Sequence, residues 1–98
     1  MNDNYLKKPL HYLIKIKTIM KEITLEHEVR IQLDYYTIGY RFSFKTAIEI
    51  IQGKYKLAIT ELEKIMEEEP SESVLSTLMK YREMYIIASN MYNPKIHK

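Results

Sequence analysis

Six glutamates, Glu61, Glu63, Glu67, Glu68, Glu69 and Glu72, crowd one stretch of this 98-residue chain, and carboxylates so spaced could hold a cation or dock a basic partner. No histidine or ordered run of oxygen donors accompanies them, so an acidic interaction face carried by Glu63, Glu67 and Glu68 is the reading they support. His11, His27 and His97 are far apart. Neither a His-Glu-x-x-His motif nor a Gly-x-Ser-x-Gly elbow is present, and Gly39 and Gly53 stand alone where a phosphate loop needs several glycines. The chain has no cysteine, which removes thiolate nucleophiles, disulfides and cysteine-bound zinc. No enzyme is expected, and no metal or cofactor.

Three further groups could bind rather than react. Lys7, Lys8, His11 and Lys15 form a basic face that could meet phosphates. Tyr35, Tyr36, Tyr40, Phe42 and Phe44 could stack nucleobases from an exposed sheet, but at helical spacing such a stripe is expected in the core. Met84, Ile87 and Met91, with Tyr92 beside them, fall on the face opposite Val74, Leu78, Tyr81 and Tyr85. A terminal helix with two apolar faces points to a protein interface.

Four helices are expected to position these residues. The first, over 9–22, starts at Pro9 and sets Leu10, Leu13, Ile16 and Met20 against a lysine-bearing face. The second, over 24–52, is a long central strut. Its polar residues Glu26, Arg30, Asp34, Thr37, Arg41, Lys45, Glu49 and Gln52 recur every three or four positions, with large apolar residues between. Residues 23–33 also alternate, and a β-hairpin from Ile23 to Phe44 can be drawn. Its connection would be Asp34-Tyr35-Tyr36-Thr37, which offers no glycine and two bulky tyrosines, so helix is preferred. Gly53 stops the strut. A third helix follows over 54–69 until Pro70, and Ser71 caps a fourth over 71–91.

The spacing Gly53-x-Tyr55-x-x-Ala58-x-x-x-Leu62-x-x-Ile65-x-x-x-x-Pro70 resembles the second half of a tetratricopeptide repeat. Tyr35, Ile38, Gly39 and Phe42 have the order of its first half, seven residues too far upstream. The resemblance covers residues 35–70 and implies a helical hairpin used in protein–protein contact. A single repeat falls short of the three or so that bury a continuous core.

At this length the chain fits one helical domain, residues 1–98, whose modest core favours association of copies. Its 46% hydrophobic and 29% charged residues place it among globular proteins, and heavy use of Lys, Ile and Tyr hints at an AT-rich genome or mobile element. Net charge is only +2, but it is segregated, basic over residues 1–22 and acidic over 61–72. No signal peptide or spanning helix is supported, so a soluble cytoplasmic protein is expected, without a membrane partner. The sequence as a whole reads as an all-α, four-helix bundle-like module that binds protein: a homodimer, or an adaptor or inhibitor of a larger protein. The alternative is a small nucleic-acid-binding regulator that uses the basic face of the first helix.

Overall fold

A computed structural model describes residues 20, 21, 23–93 and 95. Every described residue from 20 to 34 is helical (α1), and the chain then widens into a π turn, Tyr35–Gly39. α2 follows over Phe44–Glu68 and α3 over Glu72–Met91. The protein is all-helical, and the described residues contain three helices and no strand, so the β-hairpin alternative is not realised. The expected helix over 9–22 lies almost wholly outside the described residues, and a four-helix bundle is not what the chain forms within them.

The strut expected over 24–52 is two helices. Its break falls at residues 40–43, where Arg41 takes a left-handed conformation (φ 56°) and the Phe42 amide donates to the Tyr36 carbonyl at 3.0 Å. That bond closes a helix end in the manner of a Schellman cap, one residue wider because the turn before it is π-wound. Ser43 then starts α2 from an extended conformation, its Oγ accepting from the Thr46 amide at 3.1 Å. Gly53, expected as the stop, lies inside α2 with open space where a Cβ would sit. The segments expected as the last third of one helix and nearly the whole of the next are therefore a single rod, about 37 Å long at 1.5 Å per residue. It ends where expected. Glu69 closes on the Ile65 carbonyl, Pro70 cannot continue the helix, and Ser71 caps α3 by accepting from the Val74 amide at 3.1 Å.

The three helices share one core. Leu25, Val29 and Leu33 enter it from α1, Ala47, Ile48, Ile51 and Tyr55 from α2, and Met84 and Ala88 from α3, each set at helical spacing. Polar pairs tie the helices at the rim. Gln52 donates to Ser89 at 2.8 Å and Arg82 meets Glu63 at 3.2 Å, which fixes α2 and α3 as antiparallel. Lys80 on α3 reaches Glu28 on α1 at 3.4 Å. α3 therefore packs against both other helices.

Candidate protein-interaction surface

The break after α1 gathers four aromatic side chains, of which Tyr35, Tyr40 and Phe42 are exposed and Tyr36 is half-buried against the core. Tyr36, Tyr40 and Phe42 stack, with ring centroids 5.4–6.3 Å apart and planes within 26° of parallel. Tyr35 closes the group edge-on, 5.1 Å from Tyr36 and 5.4 Å from Tyr40. Stacked and edge-on pairs of this kind add about 0.5–1.5 kcal/mol each beyond burial, enough to hold a small aromatic ledge in one arrangement. It is nonetheless a surface. Tyr35 and Tyr40 are more than half exposed, Phe42 is 39% exposed, and Ile38 at the tip of the π turn is 73% exposed. These residues were expected in the core. Of the five aromatic residues expected there, Tyr36 and Phe44 do pack against the core, and the break at residues 40–43 leaves Tyr35, Tyr40 and Phe42 at the surface.

Positive charge borders the ledge. Lys54 lies 4.9 Å from the centre of the Tyr36 ring and its Nζ donates to the Tyr36 hydroxyl. With Ile31, Gln32, Tyr35 and Tyr36 it lines a shallow open cleft of about 310 Å³. The Gln32 carbonyl oxygen accepts from the hydroxyl of buried Tyr55, so its amide nitrogen is left as a donor on the cleft wall. The hydroxyl contact with Tyr40, 3.4 Å away, raises the Tyr35 phenol above its ordinary pKa, so Tyr35 keeps its proton at neutral pH. The site is built for contact, with flat apolar faces and donors around them.

A second exposed apolar feature runs along α1. Met20, Ile23, His27 and Ile31 follow one another at intervals of three and four residues, lead into Tyr35 and Ile38, and are all exposed. Ile23, His27 and Ile31 each lie about 200° around the helix from a core residue two positions away.

The residues singled out from sequence are placed differently. Met84 is fully buried, and Ile87, Met91 and Tyr92 are partly buried and packed on the same core. Both faces of α3 are apolar because α3 fills the groove between α1 and α2, and the solvent side of α3 instead carries Leu75, Met79 and Ile86. Glu63, Glu67 and Glu68 are exposed near the end of α2, and Glu63 is paired with Arg82 of the same chain. Lys7, Lys8, His11 and Lys15 lie outside the described residues. Among the described residues no three His, Cys, Asp or Glu side chains converge as metal ligands, and no helix is long and apolar enough to cross a membrane. Sequence reasoning missed the ledge and the outer strip of α1. The Ser43-x-x-Thr46 cap was the signal that could have revealed the break exposing the ledge. Compared with known proteins, the chain matches no family model, no curated protein and no solved structure.

Proposed function

We propose that this protein is a helical protein-interaction module, an adaptor or regulator that docks on a larger partner through the aromatic ledge at the α1–α2 turn. One observation carries the reading: Tyr35, Tyr40, Phe42 and Ile38 are exposed around a half-buried Tyr36 that Lys54 contacts, at a π turn followed by a left-handed arginine. Exposed aromatic clusters are unusual on a surface that serves only solubility, and Tyr with a flanking cation is the composition of interface hot spots. π turns and left-handed non-glycine residues are also over-represented at functional positions.

The test is affinity capture from cells that express the protein, with the unaltered chain and an Ile38→Glu, Tyr40→Ala variant side by side. A partner held by the former and lost by the latter supports the proposal. Capture of the same proteins by both overturns it.

A second reading draws on the same rings. Stacked aromatics beside Lys54 and Arg41 could lie against the bases of a single strand, in keeping with the basic face at residues 7–15. A mobility shift of single-stranded RNA or DNA that fades with salt and is lost with Tyr40→Ala would select it. A net charge of +2, with Asp34 next to Tyr35 in the chain, favours protein.

A further inference from the structure

We infer that the outer face of α1 is a seam for a second copy of this chain, packed antiparallel about a two-fold axis level with Glu28. The strip Met20, Ile23, His27, Ile31 and Tyr35 is exposed, apolar apart from one imidazole, and spaced as the knobs of a helix–helix seam are. Turned about an axis at that level, it meets its own image with the knobs interleaved. Ile31 of the second copy falls between Ile23 and His27, and Ile23 of the second copy falls between Ile31 and Tyr35.

Charge identifies the occupant as another copy. In an antiparallel pair related by a two-fold, each flank of the seam meets the same flank of its image. One flank carries Glu26 and Arg30, four residues apart and already paired within the chain at 3.9 Å, with exposed Asp34 one turn further on, beyond the central pair. The chosen axis sets Glu26 opposite Arg30 of the second copy, and Arg30 opposite its Glu26, giving a closed square of alternating charge. The other flank would bring two Glu28 carboxylates toward each other, and Lys80 at 3.4 Å neutralises each. At Glu26, Arg30 and Glu28 the surface is therefore complementary to its own image in sign.

From Met20 to Tyr35 the strip is about 22 Å long and roughly one helix wide, which places the contact at the small end of specific interfaces and its affinity in the micromolar range. The ledge beyond Tyr35 points away from the axis and stays open to another partner.

Sedimentation of the full chain across a hundredfold concentration range tests the seam. A monomer–dimer equilibrium is expected, with Ile23→Glu or Ile31→Glu abolishing the dimer while the helical circular dichroism is unchanged, since both side chains are exposed. His27→Leu is expected to tighten the dimer about tenfold. Glu26→Arg and Arg30→Glu, each alone, are expected to weaken it, and the double swap to restore it. A strict monomer at millimolar concentration overturns the inference, as does a dimer indifferent to Ile23→Glu and Ile31→Glu. A dimer lost in the single swaps but not restored in the double swap overturns the antiparallel register. Ile38→Glu, Tyr40→Ala leaves the dimer intact, so failure of the seam and failure of the ledge are told apart.

Discussion

Gly53→Ala is the substitution whose sign depends most directly on where α2 begins. Gly53 sits mid-helix, has no positive φ, and an added Cβ would meet nothing within 4 Å. No steric term offsets the propensity term, so alanine should stabilise the protein by roughly 0.8–1 kcal/mol, the difference between the two residues in an exposed helix interior. With an m-value of about 1.5 kcal/mol/M, that is a rise of roughly 0.6 M in the urea midpoint. Gly53→Pro would remove the amide bond to Glu49 and clash with the turn before it, at a cost of about 3 kcal/mol or more. Urea unfolding followed by circular dichroism reads both. If Gly53 were instead the turn of a helical hairpin, alanine would lower the midpoint and proline would be tolerated. That pair of results would refute the continuous α2 and the three-helix arrangement built on it.

Other substitutions separate core from surface by the same measurement. Met84→Ala, at a fully buried position, should cost about 2–5 kcal/mol, and Ile86→Ala, two residues on and 57% exposed, should stay within about 0.5 kcal/mol of no change. Arg41→Gly should raise stability by roughly 1 kcal/mol because glycine adopts the left-handed conformation without a Cβ clash. Burial first, then Glu28 and Tyr81, raises the Tyr55 phenol far above its usual pKa, so the folded state holds that proton more tightly than the unfolded one. Its contribution is fully present below about pH 10 and is lost as pH climbs beyond, at up to about 1.4 kcal/mol per unit, and Tyr55→Phe should flatten that part of the alkaline stability profile.

How much was legible in the sequence varied with the kind of signal. α3 was read almost to the residue, because Pro70, Ser71 and Asn93 are punctuation whose physics is local. Helix over the alternating residues 23–33 was also legible, since no turn residue existed to make the strand reading close. The break at residues 40–43 was not. It relies on an arginine in a conformation that arginine disfavours, closed by a backbone bond from Phe42 to Tyr36, and neither leaves a compositional mark. Gly53 carried the expected mark and formed no break. Glycine permits a stop without requiring one, and the packing of Ile51 and Tyr55 on either side keeps α2 continuous. The doubly apolar face of α3 was real, but periodicity gives the number of sticky faces and not what covers them. Here two helices of the same chain do.

Fold and binding surface are consequently written in different residues of the same helix. Leu25, Val29 and Leu33 bind α1 to its neighbours, and replacing any of them with a polar residue would leave an unpaired group in a core where no buried polar side chain is found among the described residues. Met20, Ile23, Ile31 and Ile38, displaced around the helix, contribute nothing of that kind. Polar side chains there would leave the packing unchanged and remove an exposed apolar strip that otherwise invites association. These four residues lie in one line ending at a ring cluster, and an exposed apolar line of that kind favours a state in which it is covered. The proposed second copy along α1 and the proposed partner at the ledge would each supply such a state, and substitutions at exposed Ile23 or Ile38 would remove one while the three-helix fold remains to report on the other.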